Sequence, residues 1–139
     1  MEERKDIGFV AGSFGFGIHP GYARMFKLLD DSCMAPVVLL QDDPTIERPE
    51  KAKPIFTVEE RMELIKPFFP FGIVMFLHYN TEEELYALIK SLKPDVRVLG
   101  DDYIDKDYTG KDLDIPVIWA DRSHGWSTTK FRELIGESL

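Results

Sequence analysis

Cysteine is almost missing from this chain of 139 residues: Cys33 is the only one. Its solitude excludes an internal disulfide and any multi-cysteine metal site. Cys33 falls in an apolar stretch that reads as helical, where a small buried filler is the expected role. Positive charge is also scarce. Seventeen Lys and Arg face 25 Asp and Glu, for a net charge of −8, which disfavours nucleic acid as a partner because neutralising a phosphate backbone needs a basic face. No apolar run approaches a membrane span, and no repeat or low-complexity block stands out. The charged start, Met1-Glu-Glu-Arg-Lys-Asp6, does not resemble a cleaved signal. These absences predict a cytoplasmic protein with neither membrane nor nucleic-acid partners.

What is present fits one globular domain over residues 1–139, with 44% apolar and 30% charged content. Ile7–Gly12, Pro36–Gln41, Gly72–His78, Asp95–Gly100 and Ile115–Ala120 are short apolar runs that predict buried strands. Between them lie helical patterns over His19–Met34, from Thr57 to Ile65, from Thr81 to Leu92, and from Ser127 to Leu139. Pro20 suits a first helical turn. Thr57-Val-Glu-Glu60 and Thr81-Glu-Glu-Glu84 have capping-box spacing. The alternation predicts an α/β fold: a Rossmann-like three-layer sandwich around a five-stranded parallel sheet. Residues 42–56, polar and bearing Lys51 and Lys53, predict a long functional loop that orders on binding.

The familiar phosphate cradles fail on spacing. Gly15-Phe-Gly17-Ile-His-Pro20 puts proline where a dinucleotide fingerprint needs its third glycine, and no Gly-Lys-Ser/Thr ending makes a P-loop. His19, His78 and His124 have no mutual spacing that makes a metal site, so no metal-binding residues are assigned. For His78, a partly exposed structural role is expected.

Four segments at predicted strand ends remain: Gly12-Ser-Phe-Gly15 with His19-Pro-Gly-Tyr22, Lys51-Ala-Lys53, Gly100-Asp-Asp-Tyr103, and Arg122-Ser-His-Gly-Trp-Ser-Thr-Thr129. Strand ends of a parallel sheet share one rim, where ligands bind. Gly12 permits close backbone approach to phosphate where the strand turns into a helix. His19 and Tyr22, three apart at a helix start, can face one point. Ser127, Thr128 and Thr129 offer a second anion seat, although an ordinary N-cap explains them as well. Arg122 can fork onto phosphate or ribose oxygens, and Lys53 can reach in as a point charge.

In these segments the chain resembles the glycerol-3-phosphate cytidylyltransferase family of the HxGH nucleotidyltransferase superfamily, from Ile7 to about Ile135. Three departures stand out: Tyr22 replaces the second histidine, Gly15 replaces an aspartate, and one extra residue separates Gly12 from His19. The resemblance implies transfer of CMP from CTP to an alcohol phosphate, with pyrophosphate released and Mg²⁺ bridging the phosphates. It implies catalytic roles for His19, Lys53, Tyr22 and Arg122. Gly12, Ser13, Phe14, His19, Asp101, Arg122, Ser127, Thr128 and Thr129 would bind nucleotide, Lys53 and Arg61 the acceptor. A homodimer is implied as well. Two other readings stand beside it: a catalytically weakened nucleotide-binding module, and an adenylyltransferase of the same superfamily.

Overall fold

A computed structural model describes residues 4–138. Five strands form one parallel sheet: β1 (Lys5–Gly12), β2 (Cys33–Gln41), β3 (Met75–Tyr79), β4 (Val96–Gly100) and β5 (Val117–Ala120), in the order β3-β2-β1-β4-β5. Four helices cross between or follow them: α1 (Pro20–Ser32), α2 (Val58–Ile65), α3 (Glu82–Leu92) and α4 (Thr128–Ser138).

Strand periodicity divides the core into two layers. Successive residues point to opposite faces, so Val10, Val38, Leu40 and Val98 pack with Phe26 and Leu29 of α1 and Ile65 of α2. Their neighbours Phe9, Val37 and Leu39 pack the other face with Leu85 and Ile89 of α3. That is the three-layer α/β sandwich the alternation of elements predicts. Chain order reverses between β1 and β4: the crossovers run outward to β2 and β3 on one side, and to β5 on the other. In open α/β sheets ligands bind at that reversal, beyond the carboxyl ends of the strands. Here those ends are Gly12 and Gly100.

Helix starts follow their caps. The Thr57 hydroxyl accepts from Glu60 N–H (3.1 Å) while Glu60 returns the bond to Thr57 N–H (2.9 Å), closing the expected box on α2. At α3 the Thr81 hydroxyl accepts from Glu84 N–H (3.2 Å), and the Glu84 carboxylate takes Asn80 N–H instead (3.1 Å).

Three features differ from expectation, two of them element boundaries. Cys33 is not helical: α1 stops at Ser32 and Cys33 is the fully buried first residue of β2, extended and paired with Lys5. β3 begins at Met75 rather than Gly72, because Pro67 and Pro70 open two short 3₁₀ turns and Phe71 and Gly72 adopt positive φ of 58° and 66°. The loop over 42–56 is held by specific bonds. Ile55 and Phe56 N–H both donate to the Gly15 carbonyl (3.0 and 3.2 Å), and Asp42 N–H donates to the Tyr79 carbonyl (2.9 Å). No helix among the described residues is long and apolar enough to cross a membrane.

Candidate active site

His19 caps α1 and is 2% exposed. Its Nδ1 accepts from Tyr22 N–H (3.3 Å), which assigns the ring proton to Nε2. That Nε2 is buried and has no partner among the described residues. A buried donor without an acceptor costs about 1–3 kcal/mol, so its retention calls for a ligand oxygen or another explanation. Burial, then Arg122, then His124 hold the His19 pKa down at about 4 instead of 6.5. The imidazole is therefore neutral at neutral pH, and Nε2–H is an uncharged donor.

The rest of the site is packed around that ring. Tyr22 stacks beneath it at 3.9 Å between centroids, with planes 20° apart, and Trp126 lies nearly parallel at 6.1 Å. The Tyr22 hydroxyl shares a 2.8 Å hydrogen bond with the Thr128 hydroxyl, tying the start of α1 to the start of α4 across 106 residues. Gly21 explains the close approach of the last loop. A Cβ there would lie 2.9 Å from Cε1 of both His19 and His124, inside any real contact. His124 in turn accepts Trp126 N–H on Nδ1 (2.8 Å).

Arg122 follows β5. Its backbone N–H donates to Asp101 Oδ1 (3.1 Å), its Nη2 donates to the Trp126 carbonyl (3.0 Å), and its Nη1 lies 3.8 Å from Asp102 Oδ1. A Cβ on Gly100 would fall 2.5 Å from Asp102 Oδ1 and 3.2 Å from the Arg122 side chain, so only glycine leaves that pair its place. Both aspartates thus hold Arg122: Asp101 its backbone, Asp102 its guanidinium.

Two cavities meet here. One, about 330 Å³, lies between α1 and the loop after β5 and includes His19, Gly21, Arg24, Arg122 and His124 in its walls. The other, about 580 Å³, opens at the β1–β4 reversal and includes Gly12, Phe14, Gly100 and Arg97. Tyr22, Met25 and Arg122 line both.

Phe14 is buried at positive φ (52°), with its ring against Gly12 and edge-on to Tyr22 at 4.8 Å. Ser13 lends its carbonyl to Arg61. The Ser127 hydroxyl accepts from Lys130 N–H (3.1 Å), the ordinary capping role for α4. Ser127 and Thr129 line neither cavity, nor do Asp101 and Lys53. Lys53 is exposed on its loop next to Pro54, and Pro54 fills the space above Gly15.

Arg61 has a different position from the one an acceptor contact needs. It is 2% exposed, and its guanidinium donates to the carbonyls of Phe56, Thr57, Ser13, Gln41 and Asp42 at 2.8–3.3 Å. Those donors are committed to backbone, so Arg61 works as a strut beneath the turn after β1 and the lysine loop. His78 matches its structural expectation: half-exposed, with Nδ1 2.8 Å from Asp42 Oδ1. Gly21 and His124 sit inside the motifs but have no role that local sequence assigns; a glycine inside a first helical turn is the one signal, and contact across the sequence gives it meaning. Among the described residues no group of three or more His, Cys, Asp or Glu side chains is placed to hold a metal ion.

No protein-family model matches the chain. Among known proteins it is similar to the bifunctional protein HldE of Helicobacter hepaticus, 31% identical over 98% of this chain and 28% of that protein. It is likewise similar to HldE of Campylobacter jejuni, 33% identical over 94% of this chain and 28% of that one. The chain spans about a quarter of the length of the curated relatives it matches. Among solved structures its fold is similar to a lipopolysaccharide core biosynthesis protein of Thermoplasma volcanium, with TM-score 0.57, 23% identity, and coverage of 84% of this chain and 95% of that one. The glycerol-3-phosphate cytidylyltransferase identity is not what these relatives bring. The chain is similar to one segment of the HldE proteins, and its fold to that solved structure.

Proposed function

We propose that the chain transfers a nucleotidyl group from a nucleoside triphosphate to a sugar phosphate, and that the nucleotide is ATP. The likeness to HldE proteins favours the adenylyl reading over the cytidylyl one. The observation that carries the reading is His19 Nε2, a buried proton donor with no acceptor among the described residues, in the wall of a cavity it shares with Arg122. A nucleotide α-phosphate oxygen supplies the missing acceptor.

In this reading an oxygen of the acceptor phosphate attacks the α-phosphorus. The bond from that phosphorus to the bridging oxygen breaks, and pyrophosphate leaves with the electron pair. Such a step is catalysed by positioning and by stabilising charge on the phosphoryl oxygens. His19 donates Nε2–H to those oxygens, and Arg122, held from both sides by Asp101 and Asp102, adds the positive charge. Tyr22 is a positioning residue here, because its hydroxyl is engaged with Thr128 and its ring supports His19. Lys53 reaches the reacting phosphates by movement of its loop. Magnesium, when bound, travels with the triphosphate and offsets its charge.

Pyrophosphate release with ATP or CTP, Mg²⁺ and a panel of sugar phosphates and polyol phosphates tests the proposal. ATP with a sugar phosphate should give turnover, and His19→Ala should abolish it while the melting temperature of the unliganded protein stays close to the parent. Turnover with CTP in preference to ATP would overturn the adenylyl assignment. Thermal stabilisation by nucleotide with no pyrophosphate from any acceptor would favour the binding-module reading, for which the Tyr22 substitution speaks.

A further inference from the structure

Arg97 is the second residue of β4, the only charged residue in Val-Arg-Val-Leu-Gly, and 5% exposed. Its side chain lies on the α3 face of the sheet, with the guanidinium held against the Phe9 ring at 5.0 Å and the Tyr108 ring at 5.1 Å. Among the described residues its one hydrogen bond runs from Nη1 to the Thr109 carbonyl (2.5 Å), and its Nε has no partner. Nor does any carboxylate there lie within ion-pairing distance of it. Glu82, whose charge acts on Arg97 without pairing with it, accepts the Thr109 hydroxyl. Burying a cation without a counter-charge is expensive, and natural folds pair such groups or use them.

Arg97 lines the larger cavity, the one that opens at the β1–β4 reversal, and Arg48 and Arg122 bring two further guanidiniums to its walls. Tyr79, Tyr103 and Tyr108 line it too, giving flat, half-polar surfaces suited to a sugar ring. Glu82 and Asp107 are the acidic residues of that lining. Tyr22 and Arg122 join this cavity to the one beside His19, so a ligand in each would meet at that seam.

We infer that the larger cavity is the acceptor subsite and that Arg97 binds an oxyanion, a phosphate or carboxylate, carried by the acceptor. The inference rests on the nucleotidyltransferase reading for the word acceptor, but not for the anion site itself. Arg97 is held by two aromatic faces before any ligand arrives, so little side-chain entropy is lost on binding. Gly100 at the rim stands three positions further along the strand, a span of roughly 10 Å. That depth puts Arg97 at the far end of the acceptor from the nucleotide.

The Nε–Hε correlation of Arg97 in ¹⁵N-labelled full chain, assigned by its loss in Arg97→Lys, reads this directly. Inorganic phosphate and glucose 1-phosphate should each move that signal saturably, and glucose should not. Arg97→Lys should weaken binding of both anions, measured by calorimetry on parent and variant alike, about ten-fold, the loss expected for a charge-assisted bond. A stationary signal with both anions overturns the inference, as does equal affinity in the lysine variant. So does a signal that follows ATP but neither of those anions, because Arg97 would then serve the nucleotide. ATP is titrated in parallel while the His19 ring signal is followed. An Arg97 response without a His19 response leaves the anion site standing and removes the nucleotide reading; the reverse pattern removes the anion site alone.

Discussion

Acid unfolding isolates His19. In the folded protein its pKa is about 4, and 6.5 is the ordinary value. Between those two values the unfolded chain binds the proton and the folded protein does not. Stability from this residue is therefore complete above about pH 6.5 and is lost as pH falls toward 4. At 1.36 kcal/mol per unit, the whole gap is roughly 3 kcal/mol, of which roughly 2 kcal/mol is lost between about pH 7 and pH 5. His19→Gln keeps an uncharged donor and acceptor of similar reach but cannot titrate. Urea unfolding of parent and variant at both pH values should show the parent losing about 2 kcal/mol more than the variant on acidification. Parallel losses would refute the reasoning, since they would place the buried imidazole on the wrong side of its titration. ATP should act in the opposite direction. A phosphate oxygen beside Nε2 favours the imidazolium, so the His19 ring titration, followed by NMR, should move upward when ATP is bound.

Three further outcomes are expected from substitutions. Gly15→Asp, which restores the residue of the resembling family, places a Cβ 2.7 Å from Pro54 Cβ and 2.9 Å from Pro54 Cα. It should displace the lysine loop at a cost of about 1–3 kcal/mol, read as a lower urea midpoint and faster proteolysis within residues 48–56. Arg61→Met removes the donors to five carbonyls, and unfolding should show a loss of about 3 kcal/mol or more, whether or not acceptor is present. A stable Arg61→Met protein with a raised acceptor KM alone would restore the acceptor role. Tyr22→Phe keeps the ring under His19 and loses only the bond to Thr128, so thermal melts should register about 1 kcal/mol.

Much of the architecture was legible locally. Apolar runs ending in glycine marked β1 and β4, and threonines three residues before glutamates marked the starts of α2 and α3, because caps and strand periodicity depend on neighbours in sequence. The boundary at β3 was not legible, since Pro67 and Pro70 within an aromatic run compete with strand propensity and the 3₁₀ turns win. The site divides in the same way. His19, Tyr22 and Arg122 come together as their motifs predict, and Gly12, Phe14, Tyr22 and Arg122 meet at the second cavity. Arg61 shows the limit: an arginine at a helix start looks the same in sequence whether it faces substrate or backbone. Its bond to the Ser13 carbonyl spans 48 residues, and nothing nearby in the chain announces it.

From the sequence alone follow the class of fold, the order of its elements, and which segments reach the rim, all consequences of short-range periodicity and turn chemistry. Which donors remain free is a tertiary property. Arg61 directs its donors to carbonyls, Tyr22 its hydroxyl to Thr128, and Arg97 and His19 each keep a buried N–H without an acceptor among the described residues. Hydrogen-bond satisfaction is settled by partners that only folding brings within about 3 Å, so the choice between strut and ligand contact is made there.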